Sequence, residues 1–155
     1  PLNVMGTDVA EFVTRAKAAA FTDMLGLNDV IITGDTVVLL GDEILEKPSN
    51  FEEAALMLRK LSGRTHVVAS GVAVTTLIGG KPETSCEVDT CKVTFEELTD
   101  EMISHYIDSY KPFDKAGSYG VQDLIGFIGV SSINGSFYTV MGLPVHILHK
   151  MLQEV

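Results

Sequence analysis

Hydrophobic positions recur every three or four residues at the start of the chain and then cluster in β-branched runs. Residues from Asp8 to Gly26 follow helical spacing, which predicts a helix that Asp8 caps and Gly26 ends. The runs at 29–33 and 36–40 have the composition of buried strands, and residues 34–35 separate them. The pattern therefore predicts one helix followed by two short strands.

Turn and cap residues divide the next part of the chain. A Gly-Asp pair at 41–42 favours a hairpin-type turn into a short strand at 43–46. Asn50 is placed to cap a second helix that runs to Leu61, with Gly63 just past its end. The expected core stripe of this helix consists of Ala54, Ala55, Leu58 and Leu61.

The second half begins with the strongest strand signal in the chain. Valine and threonine dominate residues 65–78, and glycines at 79–80 predict a hairpin turn into a returning strand at about 83–95. Thr99 is expected to open a helix that ends near Tyr110.

The closing segment is predicted to hold a strand near 127–131 and a turn at 134–135. A last helix follows from Gly142 or Pro144 to Leu152. This order of helices and strands is α/β or α+β, and its 155 residues predict a single domain over 1–155.

Composition narrows the class of protein. Apolar residues make up 46% and charged residues 21%, which is typical of a folded, soluble domain. No apolar stretch approaches the roughly 18 residues of a spanning helix, so we expect no membrane segment. Residues 1–10 show no export signal, and Cys86 and Cys91 are too few for a disulfide scaffold. We therefore expect a cytoplasmic protein.

The charge balance excludes some partners. Eleven Lys and Arg against 21 Asp and Glu give a formal charge of −10. Such a surface repels nucleic-acid polymers and anionic membranes. An anionic ligand requires a local cluster of cations.

A few polar residues stand out as candidates for chemistry. Asp35 follows an apolar run, where a carboxylate at a sheet edge suits a general base or metal ligand; a turn Asp is the alternative. Lys47 is presented before a proline, and Arg64 has the donor geometry to grip a phosphate, although both also suit ordinary surface positions. The segment 112–122 is rich in glycine and polar groups, and Gln122 has the donor and acceptor pair to read a base edge.

Six short strings stand in order along nearly the whole chain. They occupy residues 34–38, 46–48, 58–66, 70–74, 114–122 and 142–144. Together they resemble the Maf family of nucleoside triphosphate pyrophosphatases. The resemblance implies an α/β fold with a mixed, twisted central sheet, flanking helices and an active-site cleft.

The resemblance also implies an activity: hydrolysis of a nucleoside triphosphate to the monophosphate and pyrophosphate, which clears nucleotides from the pool. The Asp-Lys-Ala-Gly string at 114–117 looks like the dTTP and UTP branch rather than the 7-methyl-GTP branch, which stays an alternative. A non-catalytic, nucleotide-binding regulator of cell division is a further alternative. Members of this family are commonly dimeric, so the resemblance implies a homodimer.

Site roles follow from the same resemblance. It implies a divalent cation, taken as Mg²⁺ or Mn²⁺, and assigns Asp35 as proton acceptor. Because a carboxylate is also a good ligand for such a cation, Asp35 is expected to bind the metal as well. It associates Thr36 and Gln122 with substrate specificity. The substrate-binding cations expected around the triphosphate are Lys17, Lys47, Arg64 and Lys115.

One departure from the family concerns the start of the sequence. The family's opening strand and its Ser- and Arg-rich loop have no counterpart in these 155 residues, and Gly34 stands where Ala is common. The expectation is that the full gene product is active and that this stretch alone is impaired.

Overall fold

The computed structural model describes residues 5–155, and its centre is a five-stranded sheet. The elements are α1 (Asp8–Ala20), β1 (Ile31–Leu40), β2 (Glu43–Leu45), α2 (Phe51–Leu61), β3 (Thr65–Ile78), β4 (Lys81–Phe95), α3 (Asp100–Tyr110), α4 (Leu124–Gly129), β5 (Val130–Asn134), α5 (Phe137–Met141) and α6 (Val145–Leu152). Short 3₁₀ turns lie at Thr22–Met24 and Ala116–Ser118.

The strand order is β2-β1-β3-β4-β5, and every described pair is antiparallel. Strands β3 and β4 form one long hairpin in which Thr65 is paired with Thr94 and Ile78 with Lys81. Strand β1 pairs with β3 over 31–39 but with β2 only over 38–40. Within residues 5–155, the outer edge of β1 therefore has no strand partner from Ile31 to Val37.

Helices cover both faces of this sheet, which confirms the α/β prediction. On one face, Ala10 of α1 packs with Val37, Leu39 and Ala69. On the other face, α2 and α3 pack in the larger core, with Leu58 and Ile103 fully buried. The sheet thus has an α1 face and an α2/α3 face.

A glycine lets α1 lie close to the sheet. A Cβ built on Gly71 of β3 falls 2.4 Å from Thr14 Oγ1 and 2.9 Å from the Ala10 carbonyl oxygen. Such contacts are far inside van der Waals distance, so a side chain at this position forces the helix away from the strand.

The predicted caps of α2 and α3 are confirmed. Asn50 Oδ1 accepts a hydrogen bond from the Glu53 amide, and Thr99 Oγ1 accepts one from the Met102 amide. The long hairpin and its glycine turn are confirmed too.

The prediction for α1 was wrong at both ends. Thr7 occupies the N-cap position, and Asp8 is the first helical residue. The helix ends at Ala20 rather than Gly26, because the Thr22 hydroxyl donates to the Ala19 carbonyl and the chain tightens into a 3₁₀ turn.

Two predictions about strands also need correction. Residues 34–35 do not interrupt β1, because Gly34 and Asp35 keep their register with Val72 and Gly71 of β3. The strand predicted near 127–131 begins only at Val130, since its first part belongs to α4. Helix α5 was not predicted.

Candidate active site

A cavity of about 330 Å³ opens beside the unpaired part of β1. It is lined by β1, the loop before α2, the segment 114–122 and α5. The lining residues are Gly34, Asp35, Thr36, Val38, Lys47, Val68, Asp114, Lys115, Ala116, Tyr119, Gly120, Gln122, Val140, Met141 and Gly142.

Two neighbours on β1 reach this cavity from opposite faces of the sheet. Successive side chains of a strand alternate, so Asp35 lies on the α1 face and Thr36 on the α2/α3 face. Both line the cavity, and no described strand covers the outer edge of β1 at this point. The open edge of β1 thus presents a carboxylate on one face of the sheet and a hydroxyl on the other.

Asp35 is paired with a lysine from α1. Lys17 Nζ donates to Asp35 Oδ1 at 2.6 Å and to the Gly34 carbonyl at 3.1 Å. The lysine side chain is 46% exposed and the aspartate side chain 20% exposed, so the pair is open to a ligand. Lys17 lies in the last turn of α1, where the helix dipole favours a cation.

Thr36 is held within a network of hydroxyl and carbonyl groups. Its Oγ1 lies 2.7 Å from Ser70 Oγ on β3 and 3.3 Å from the Gly142 carbonyl oxygen. The side chain is partly buried and lines the cavity. Its hydroxyl is therefore fixed in position before any ligand arrives.

Lys47 and Lys115 line the cavity with Gln122, whereas Lys17 stands outside the described lining and reaches the site through its contact with Asp35. Lys115 Nζ donates to Asp114 Oδ1 at 3.0 Å, and this hydrogen bond lowers the pKa of the Asp114 carboxyl. Lys47 comes from the loop before α2. The structure therefore gathers ammonium groups at one place on a protein whose formal charge is −10.

Segment 114–122 is held against β1 by a glycine. Gly117 has a φ of +66°, and a Cβ there falls 2.9 Å from a methyl group of Val38. Its amide donates to the Glu46 carbonyl at 3.1 Å. The loop that carries Lys115 is thereby tied to the loop that carries Lys47.

Arg64 does not join the others. It lies exposed in the turn between α2 and β3, where its amide donates to the Leu61 carbonyl at 3.1 Å. It is absent from the described lining of the cavity. The remaining predicted site residues are brought together around Asp35.

Sequence analysis assigned no role to the aromatic residue that lines the cavity. Tyr119 lines it, and its hydroxyl shares a 2.7 Å hydrogen bond with His66 Nε2. Burial lowers the pKa of His66 to about 4 and raises that of Tyr119, so both groups are neutral near pH 7. Nothing in the Tyr-Gly string at 119–120 predicted a hydrogen bond to His66 on β3.

The side chains that line the cavity can be compared with the ligands that a divalent cation requires. Among residues 5–155, no three His, Cys, Asp or Glu side chains cluster closely enough to hold a metal. Asp35 and Asp114 are the carboxylates in the described lining. Mg²⁺ is commonly held by one or two carboxylates together with substrate phosphates, so this lining fits a cation that binds with a triphosphate.

A carboxylate beside several lysines is typical of a site that binds a phosphate-bearing ligand. Comparison with known proteins indicates the same class of protein. A family model described as Maf-like protein matches residues 4–155. The chain belongs to the Maf family, which confirms the resemblance seen in its sequence strings. No helix within the described part of the chain is long and apolar enough to span a membrane.

Curated relatives match over nearly the whole chain. A dTTP/UTP pyrophosphatase of Bacteroides thetaiotaomicron is 43% identical over 155 residues, which cover all of this chain and 78% of the relative. One from Porphyromonas gingivalis is 47% identical over 145 residues, covering 92% of this chain and 71% of the relative. One from Flavobacterium psychrophilum is 41% identical over 152 residues, with coverage of 98% and 76%.

Proposed function

We propose that this protein hydrolyses dTTP and UTP to the monophosphate and pyrophosphate. The observation that carries the proposal is the Asp35 carboxylate, which lines a cavity together with Lys47 and Lys115. Lys17 holds this carboxylate at 2.6 Å from outside the described lining. The names of the relatives support the same substrates. The family match supports the pyrophosphatase chemistry.

In this proposal, Asp35 accepts the proton of the attacking water. A carboxylate is a suitable general base when it lies within hydrogen-bond reach of the nucleophile. Lys17 fixes the Oδ1 oxygen of the carboxylate, and the other oxygen, Oδ2, is the one proposed to take the proton of the water. The cleaved bond is the anhydride between the α- and β-phosphates, and pyrophosphate is the leaving group.

The lysines offset the charge of the substrate. A triphosphate carries about four negative charges near neutral pH, which a protein of charge −10 repels unless cations lie close by. Lys17, Lys47 and Lys115 supply three. Arg64 is left out of the proposed site because it lies exposed outside the cavity lining and, unlike Lys17, makes no hydrogen bond to a cavity residue among the described contacts.

Mg²⁺ or Mn²⁺, when bound, would neutralise phosphate charge and polarise the anhydride. Asp35 is the residue proposed to hold it, together with the phosphate oxygens. Thr36 and Gln122 are proposed to contact the base, since neutral hydrogen-bonding groups suit pyrimidine O2, N3 and O4.

We also propose that residues 1–155 belong to one domain, that the protein is a homodimer and that it acts on the cytoplasmic nucleotide pool. The shared sheet supports the first statement, since it joins strands between Ile31 and Asn134. The family resemblance supports the second. The proposed substrates support the third.

The experiment that tests this function measures pyrophosphate release. The full-length protein is incubated with dTTP, UTP, CTP and 7-methyl-GTP in the presence of Mg²⁺, and a parallel set contains EDTA. Release from dTTP and UTP that EDTA abolishes is expected. Release from 7-methyl-GTP alone would assign the protein to the other branch, and tight nucleotide binding without release would identify a non-catalytic regulator.

A further inference from the structure

A row of polar side chains crosses the sheet next to the cavity. Thr36 on β1 is paired with Ser70 on β3, which is paired with Asp89 on β4. Thr139 of α5 lies over this row, and both Ser70 and Thr139 have no exposed surface. Polar groups buried this deeply are expected to have fixed hydrogen-bond partners.

The hydrogens in this row can be assigned from simple counting. The Thr139 carbonyl only accepts, so the 2.7 Å bond from Ser70 Oγ to it uses the single hydroxyl hydrogen of Ser70. Ser70 Oγ then has only lone pairs for its 2.7 Å contact with Thr36, and Thr36 must be the donor.

The competing arrangement has a poorer geometry. It requires Thr36 to donate to the Gly142 carbonyl at 3.3 Å, which lies outside the usual range for O–H···O bonds. The two 2.7 Å bonds are therefore favoured. The far end of the row is held as well, because the Thr139 hydroxyl donates to Asp89 Oδ2 at 2.5 Å.

The consequence concerns what Thr36 offers a ligand. With its hydrogen committed to Ser70, Thr36 Oγ1 presents only lone pairs to the cavity. We propose that Ser70 is a positioning residue that fixes Thr36 as a hydrogen-bond acceptor, so that the site selects bases with an imide N3–H over cytosine. This inference rests on the proposed function, in which Thr36 contacts a pyrimidine.

Base chemistry explains the selection. Thymine and uracil carry a hydrogen on N3, which a threonine lone pair accepts. Cytosine has a lone pair on N3, which faces the Thr36 lone pair unfavourably. Two acceptors that face each other in a partly buried site weaken binding, whereas a donor that faces an acceptor strengthens it.

The test compares kcat/KM for UTP and CTP in the full-length protein and in Ser70→Ala. Without Ser70, the Thr36 hydroxyl is free to turn and donate to cytosine, so the UTP to CTP ratio is expected to fall about fivefold to tenfold. Ser70→Thr keeps the hydroxyl and should keep the ratio. Thr75→Val removes another buried hydroxyl of β3, bonded to Thr84 outside the cavity lining, and should also keep it.

A double-mutant cycle separates positioning from general damage. In a Thr36→Val background, Ser70→Ala is expected to leave the UTP to CTP ratio unchanged, because the group it positions is gone. A ratio that still shifts there would overturn the inference. So would a wild-type ratio in a folded Ser70→Ala protein.

A measurement on the wild-type protein covers the case in which Ser70→Ala fails to fold. N3-methyl-UTP lacks the imide hydrogen, and its kcat/KM is expected to lie at least about tenfold below that of UTP. Equal rates for UTP, CTP and N3-methyl-UTP would overturn the inference and leave the proposed function standing. Absence of pyrophosphate from every nucleotide would refute the proposed function itself.

Discussion

Lys17 Nζ and Asp35 Oδ1 lie 2.6 Å apart, although 18 positions separate the two residues along the chain. One comes from the last turn of α1 and the other from the middle of β1. Their contact requires that α1 lie flat on the sheet, which Gly71 permits. The placement of the proposed base therefore depends on how a helix packs as well as on the strand that carries it.

Replacement of Asp35 by Asn should abolish turnover without unfolding the protein. The amide cannot accept the proton of water, so kcat is expected to fall at least about 100-fold. The free energy of unfolding should change by less than about 1 kcal/mol, because the Lys17 side chain is 46% exposed and solvent screens the ion pair. Pyrophosphate release and urea unfolding measure the two quantities.

Asp42→Asn is the matched control, since Asp42 is exposed in the β1–β2 turn and absent from the cavity lining. It should retain wild-type turnover. Full activity in Asp35→Asn would remove this carboxylate from the proposed mechanism.

Replacement of Lys17 by Met should lower kcat/KM about tenfold or more, because a hydrogen bond to a charged group is lost and the carboxylate is no longer oriented. Lys60→Met breaks a surface ion pair with Glu43 and serves as the control. Steady-state kinetics should show loss in the first variant alone. Similar kinetics in the two variants would contradict an orienting role for Lys17.

His66 should make stability depend on pH in an acidic window. The unfolded chain takes up the proton below pH 6.5, whereas burial delays uptake in the folded protein to about pH 4. The unfolded state binds more protons between these values, so stability falls as the pH is lowered from 6.5 to 4. It is unaffected by this group above 6.5. The loss expected between pH 7.5 and pH 5 is about 2 kcal/mol.

Urea unfolding at the two pH values measures this loss. His66→Gln cannot titrate and should lose less stability than the wild type over the same interval. His105→Gln, at an exposed position of α3, should behave as the wild type does. The same pH dependence in all three proteins would show that His66 is not responsible.

Replacement of Gly71 by Ala should destabilise the fold by about 1–3 kcal/mol, as overpacking does in a close-packed core. The added methyl group meets Thr14 Oγ1 and the Ala10 carbonyl. Activity should fall as well, because α1 carries Lys17. Thermal unfolding and kinetics would check both effects.

A second substitution tests the cause. Thr14 Oγ1 is buried with no hydrogen-bond partner among residues 5–155, so removing it in Thr14→Ala/Gly71→Ala relieves one clash and should recover part of the lost stability. The Ala10 carbonyl stays in place and limits the recovery. No recovery at all would mean that the helix moves for another reason.

Features set by a few neighbouring residues were predictable from sequence. Asn50 and Thr99 cap helices through bonds that span three residues, and the Gly79-Gly80 turn closes a hairpin between adjacent strands. Local chemistry decides each of these. It does not decide whether Gly34 and Asp35 form a turn, because their extended conformation comes from pairing with β3.

Short apolar runs were harder to interpret. The run 124–130 fits a buried strand or a short helix equally well, and only its packing makes most of it α4. In α5, Thr139 and Val140 are buried whereas Phe137 and Tyr138 are exposed, so five residues gave too little periodicity for a prediction.

The residues of the candidate site are brought together by contacts between distant parts of the chain. The strings identified Asp35, Lys47 and Gln122, and the cavity brings them together. The same strings included Arg64, whose side chain the fold leaves outside. They gave no role to Ser70, because its importance depends on a carbonyl group 69 positions away.

Alternation along β1 places Asp35 and Thr36 on opposite sides of one sheet. A slip of β1 by one residue against β3 would exchange these sides, turning the carboxylate toward α5 and the hydroxyl toward Lys17. The strand would remain paired while both groups lost their partners. Catalysis and base selection, as proposed, therefore both depend on the same register of β1 against β3.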